Sequence, residues 1–125
     1  MSPPTEPSTE PRVLLVEDDR VQQLLVSTHL ERQGCTVDIA ENGEEGLMLW
    51  KEHRHVLVIT DCRMPRMDGY ELTRALRSLA GGTCVRVVGM SADVDDRARA
   101  LESGMEALLE KPLSAEAVAQ MLRSG

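Results

Sequence analysis

VITDCRMPRMDGYEL, residues 58–72, decides the fold. Its opening, Val58-Ile59-Thr60, is an apolar, β-branched run that breaks off at a carboxylate, Asp61. Asp68-Gly69 follows, a pair suited to the turn that launches a helix, with glycine expected to supply a positive φ. Leu72, Ala75, Leu76 and Leu79 then recur at i, i+3, i+4 and i+7, the buried stripe of an amphipathic helix. A short strand that delivers an acid to a loop and continues into a helix is half of a βαβ unit.

Outward from this stretch the same alternation repeats. Strands are predicted over 13–16, 35–40, 56–60, 85–90 and 107–109, all short and most of them rich in β-branched residues. Between them Val21, Leu24, Leu25 and Thr28 show the helical spacing, as do Ala115, Val118, Ala119 and Leu122. Leu47 with Trp50, and Val94 with Ala98 and Leu101, give two weaker stripes, while Gly34 and Gly104 are placed to end helices in left-handed caps. Five strands and five helices in alternation predict an α/β fold whose parallel sheet is covered on both faces. The apolar share is 42% with only Trp50 and Tyr70 as aromatics, so the core must be aliphatic, which suits such layers. A chain of 125 residues has material for one domain. Residues 1–11, MSPPTEPSTEP, have too little apolar surface to repay the entropy of ordering and are expected to be a disordered Pro-rich linker or tail, leaving 12–125 as the globular unit.

Charge excludes some functions. Fourteen basic against 21 acidic residues give a net charge of −7, a surface that repels nucleic-acid phosphates and anionic lipid, so no direct nucleic-acid or membrane contact is expected. Cys35, Cys62 and Cys84 form no CxxC pair and cannot all be matched in disulfides, which suits a reducing compartment and small apolar roles. No apolar stretch approaches the roughly 20 residues that cross a bilayer, and the N-terminus lacks a signal-peptide layout; a cytoplasmic location is expected.

Ligands of open parallel sheets collect where the strands end. Glu17, Asp18 and Asp19 follow the first predicted strand, Asp61 the third, Ser91 the fourth, and Lys111 lies just beyond the fifth. In a doubly wound sheet the first and third strands are neighbours, so Glu17 or Asp18 would meet Asp61. Each like-charge pair at ~4 Å costs about 4 kcal/mol at an effective dielectric near 20, and a hard divalent cation is the natural relief. A carboxylate beside such an ion and a lysine can act as a nucleophile toward phosphorus. Asp61 is placed for that role, with Lys111 and the Ser91 hydroxyl able to bind phosphoryl oxygens.

Taken in order, VLLVEDD (13–19), VITDCRMPRMDGYEL, VVGMSA (87–92), GMEALLEKPL (104–113) and the amphipathic final helix resemble the receiver domains of response regulators and hybrid sensor histidine kinases, over residues 12–123. The resemblance implies a flavodoxin-like three-layer sandwich around a doubly wound five-stranded parallel sheet of order 2-1-3-4-5. It implies a phospho-accepting signalling switch rather than an enzyme, one that phosphorylates and dephosphorylates itself, with Mg2+ or Mn2+ as cofactor. Asp61 looks like the acceptor, Asp18 a direct metal ligand, Glu17 a ligand through water, the backbone carbonyl of Arg63 the third protein ligand, and Ser91 and Lys111 the hydroxyl and lysine of the site. Pro112 stands where family members often place a cis peptide bond. The implied partners are a phosphohistidine-bearing kinase or phosphotransfer domain and a downstream protein. The Pro-rich lead and the wording around Asp61 and Lys111 look most like the C-terminal receivers of hybrid sensor kinases of the BvgS type, with a free-standing regulator as the alternative.

The chain departs from the family's pattern in places. Leu108, three residues before Lys111, replaces the usual Tyr or Phe, which puts the hydroxyl-plus-aromatic switch in doubt. Arg63 and Asp93, each two residues beyond a site residue, are expected to pair over the pocket and slow water attack. His29, His53 and His55 show no ligand spacing and are expected at the surface, and Trp50 is expected in packing or docking. Two other functions compete. A magnesium-dependent phosphohydrolase with an aspartyl nucleophile would want a second Asp where Arg63 stands. A receiver-like binding module without phosphorylation would not need both Asp61 and Lys111.

Overall fold

The computed structural model describes residues 11–79 and 81–124. The predicted disordered lead lies outside them except for Pro11, whose carbonyl accepts the Thr36 amide at 2.9 Å. Five strands, β1 (Arg12–Val16), β2 (Thr36–Ala40), β3 (Leu57–Asp61), β4 (Arg86–Ser91) and β5 (Ala107–Glu110), form one sheet in the order β2-β1-β3-β4-β5. All neighbours pair in parallel. The helices are α1 (Arg20–Arg32), α2 (Gly43–His53), α3 (Gly69–Ser78), α4 (Arg97–Ser103) and α5 (Ala115–Arg123), with a single 3-10 turn at Val94–Asp96 ahead of α4.

Successive side chains of a strand point to opposite faces, and in β1, β3 and β4 both faces are buried. Leu14, Val16, Val58 and Val87 join Tyr70, Leu72 and Leu76 of α3 in one core layer. Val13, Leu15, Ile59 and Val88 join Val26 and Leu30 of α1 and Val118 and Met121 of α5 in the other. This explains why β3, in the middle of the sheet, is buried along its whole length.

Pairing corrects the predicted strand limits. Asp61 pairs with Met90, and Ser91 with Glu110, so both candidate site residues close their strands rather than follow them. Two helical stripes also differ from expectation. On α1 the buried residues are Val26, Ser27 and Leu30, while Val21 and Leu24 are 72% and 69% exposed. On α4 Ala100 and Ser103 are buried, and Leu101 faces solvent. The expected left-handed caps are present at Gly34 (φ 86°) and Gly104 (φ 109°). Gly69 is not in that region; the positive φ of its loop falls on Arg66, at 70°.

His55 is the other correction, since it is buried rather than on the surface. Trp50 is buried too and donates from Nε1 to the His55 carbonyl at 3.1 Å, a packing role. No disulfide joins the cysteines; Cys35 and Cys62 are buried, and Cys84 is exposed.

Candidate functional site

Register brings the site together. Val16 pairs with Thr60, so the next residues, Glu17 and Asp61, emerge side by side at the C-terminal edge of the sheet. The ladders run one step further on each side: the Glu17 amide donates to the Ala40 carbonyl at 3.0 Å, Cys62 to Met90 at 3.0 Å, and Lys111 to Ser91 at 2.8 Å. The peptide between Lys111 and Pro112 is cis, as the resemblance led one to expect. Asp19 leaves the site to cap α1, accepting the Val21 and Gln22 amides.

The Lys111 ammonium donates to Asp61 Oδ2 at 2.8 Å and to Glu17 Oε2 and Oε1 at 3.1 and 3.3 Å. One carboxylate oxygen from each of Glu17, Asp18 and Asp61 lies within 4.8 Å of the others. When all are ionised, the single lysine leaves the cluster two negative charges in excess. Burial, then the charge of Asp61, push Glu17 up to about 7 against the pull of Lys111. Burial alone would lower Lys111, but its bonds and charge attraction to Asp61 and Glu17 prevail and hold it above the ordinary lysine value. Three hard oxygen donors, an unrelieved negative excess and one exposed member, Asp18, suit an ion that takes few protein ligands and keeps several waters, the preference of magnesium.

The loop after β3 turns back on Asp61. The Arg63 amide donates to Asp61 Oδ1 at 3.1 Å, and the Gly69 amide donates to the Cys62 carbonyl at 3.1 Å. Asp68 then starts α3 by accepting the Glu71 amide while Glu71 reaches back to the Asp68 amide, a capping box.

The expected pair between Arg63 and Asp93 is absent. Arg63 instead grips Asp96, Nη2 to Oδ1 at 2.9 Å and Nε to Oδ2 at 3.3 Å, while Asp93 Oδ1 accepts the Asp95 amide. Ser91 Oγ donates to Asp96 Oδ2 at 2.7 Å and accepts the Asp93 amide at 3.0 Å. The Ser91 hydroxyl, with Arg63 adding to it, holds the Asp96 carboxyl below the usual range. Asp96 was not foreseen among the site's neighbours. The sequence supplies three acids, Asp93, Asp95 and Asp96, with nothing to distinguish them until the turn is formed.

The sequence model described as response regulator receiver domain matches residues 13–123. The virulence sensor protein BvgS of Bordetella pertussis is 37% identical over 95% of this chain, and the chain spans about a tenth of the length of that relative. Among solved structures, the receiver domain of the sensor histidine kinase PA1611 of Pseudomonas aeruginosa, with a magnesium ion in its active-site cleft, superposes with a TM-score of 0.85 at 29% identity, covering 93% of this chain and 97% of that one. The receiver domain of Saccharomyces cerevisiae Ssk1, solved with the histidine phosphotransfer protein Ypd1, gives 0.79 at 27% identity over 90% of this chain and 86% of that one.

Proposed function

Since the chain belongs to the response regulator receiver domain family of two-component systems, we propose that Asp61 takes a phosphoryl group from a phosphohistidine, assisted by Mg2+ or Mn2+ at the acidic cluster. Asp61 and Asp18 would hold the ion directly, Glu17 through water, with the Arg63 carbonyl as the third protein ligand. The observation that carries this reading is the meeting of Glu17, Asp18 and Asp61 at one sheet edge with Lys111 bonded to the last of them at 2.8 Å.

The Asp61 carboxylate attacks phosphorus as the bond to the donor imidazole nitrogen breaks, and the electron pair of that bond returns to the ring. Lys111 can exchange an Asp61 oxygen for a phosphoryl oxygen without leaving the pocket, because its ammonium is a compact charge on a flexible stem. Ser91 donates to a second phosphoryl oxygen. Bound at these carboxylates, the metal supplies a hard positive charge that screens the acceptor from the incoming group.

The donor is a phosphohistidine on a kinase or phosphotransfer domain; the yeast neighbour was solved together with a histidine phosphotransfer protein. The exposed Val21 and Leu24 of α1, the helix that follows Glu17 and Asp18 in the chain, provide apolar surface for such a donor to cover. The phosphorylated domain then passes its state to a downstream protein, inside the cell, either as the receiver segment of a hybrid sensor kinase or as a separate regulator. Among the described residues no helix is long and apolar enough to cross a membrane. The hydrolase reading is weaker because the residue two beyond Asp61 is Arg63, which is committed to Asp96 and cannot serve as acid and base.

Intact mass after incubation with a small phosphodonor and magnesium tests the proposal. The native chain should gain one phosphoryl group and Asp61→Asn none. Rapid turnover without a stable adduct would favour the hydrolase, and no reaction the inert module.

A further inference from the structure

We propose that Asp96 is the positioning residue that restrains the Ser91 hydroxyl away from the acceptor in the resting domain, and that Arg63 makes this restraint releasable. The inference rests on the reading of Asp61 as phosphoryl acceptor. A serine hydroxyl has one proton to donate. Ser91 commits it to Asp96 Oδ2 at 2.7 Å, in a buried setting, while its oxygen accepts the Asp93 amide. With the proton on Asp96, Ser91 cannot donate to a phosphoryl oxygen on Asp61, so the two bonds exclude each other. The bond to a carboxylate is of the stronger, charge-assisted kind.

A restraint of this kind locks permanently if breaking it strands a buried charge. Here it does not, because the Arg63 guanidinium engages both Asp96 oxygens and stays when Ser91 turns away. Asp96 also stands at the junction of the 3-10 turn and α4, in the capping position, yet makes no side-chain cap bond to the helix. Its carboxylate is spent on Ser91 and Arg63, so a rearrangement at Ser91 reaches the start of α4 directly. Leu108 offers no competing route. It has no hydroxyl, is buried, and sits so close under β4 that a Cβ at Gly89 would lie 3.0 Å from Leu108 Cδ1.

The test is a double-mutant cycle on Asp96→Ala and Ser91→Ala, read as the midpoint for binding beryllium fluoride, a tetrahedral phosphoryl mimic, in the presence of magnesium. Asp96→Ala should tighten binding about tenfold, the order expected when a competing hydrogen bond to a charged group is removed. The same substitution in Ser91→Ala should have no effect. In magnesium-free protein, the Ser91 and Asp93 amide resonances of Asp96→Ala should move toward their positions in the mimic-bound native domain. Asp96→Asn, which keeps size and an acceptor oxygen, should fall between Asp96→Ala and the native chain, and it serves if the alanine variant fails to fold. A gain that persists without the Ser91 hydroxyl would assign Asp96 a charge or helix-capping role and overturn the proposal, as would an unchanged midpoint. If the native domain binds neither phosphoryl group nor mimic, the acceptor reading fails first and takes this inference with it.

Discussion

At the scale of single residues, Gly69 ties the loop beyond Asp61 to the strand that carries it. A Cβ built there would lie 2.3 Å from the Asp61 carbonyl oxygen and 3.0 Å from the Cys62 Cα, contacts that only backbone movement could relieve. The glycine is therefore required by close approach and not by φ, since the left-handed position of this loop belongs to Arg66. Gly69→Ala should cost about 1–3 kcal/mol, the range for overpacking a tight site, measured by urea unfolding. The strain falls on Asp61 itself, so phosphorylation by a small donor should slow in the same variant. A fully native rate in a destabilised Gly69→Ala protein would separate the loop's packing from acceptor placement. Most of the candidate site's placement was legible in the sequence because Glu17, Asp18, Asp61, Ser91 and Lys111 each stand where an apolar strand gives out. Asp96 was not, because its partners Ser91 and Arg63 are brought to it by a turn whose shape the sequence does not spell out.

At the scale of elements, α1 shows how a stripe can be real and yet face the wrong way. Leu24, Leu25 and Val26 are consecutive apolar residues, so two different helical faces could be drawn through them. The spacing of Val21, Leu24, Leu25 and Thr28 selects one; docking against β1, β2 and α5 selects the other, through Val26, Ser27 and Leu30. The central strands were read more securely because β1, β3 and β4 are buried on both faces, so their apolar runs are nearly continuous and no face has to be chosen. What remains on the outer side of α1 are Val21 and Leu24, the latter 69% exposed. Leu24→Ser should change unfolding free energy by less than about 0.5 kcal/mol, as exposed positions generally do. It should leave phosphorylation by a small-molecule donor unchanged while slowing transfer from a phosphohistidine domain. Equal slowing with both donors would place the effect in the acceptor pocket and not in donor docking.

At the scale of the whole molecule, the two ends of the sheet titrate against each other. At the C-terminal edge Glu17 is pushed up to about 7 from 4.5, so between those values the folded domain keeps a proton that the unfolded chain has released. That contribution is present at low pH and is lost as pH rises through about 7. At the opposite end His55 Nε2 lies 2.7 Å from Asp38 Oδ2, which also accepts from Arg12 Nε at 2.7 Å, and the His53 ring stands edge-on with centroids 5.8 Å apart. The carboxylate keeps the His55 proton on Nε2, leaving Nδ1 buried and without a partner among the described residues. A second proton would have nowhere to bond, and burial lowers His55 from 6.5 even though Asp38 pulls the other way. Below pH 6.5 the unfolded chain therefore takes up a proton that the folded chain resists, and this part of the stability falls as pH falls. Asp38, held down first by its bond to Arg12, acts in the same direction below its ordinary value of 3.8. Magnesium separates the two ends, because an ion at the acidic cluster favours ionised Glu17 and cannot reach His55. Urea unfolding between about pH 5 and 8 should show a magnesium-dependent gain in stability that grows as pH rises toward and past 7. His55→Gln should flatten the loss on the acid side whether magnesium is present or not. A magnesium gain with no pH dependence would remove Glu17 from the ion's surroundings, and an undiminished acid loss in His55→Gln would place the proton uptake elsewhere in the fold.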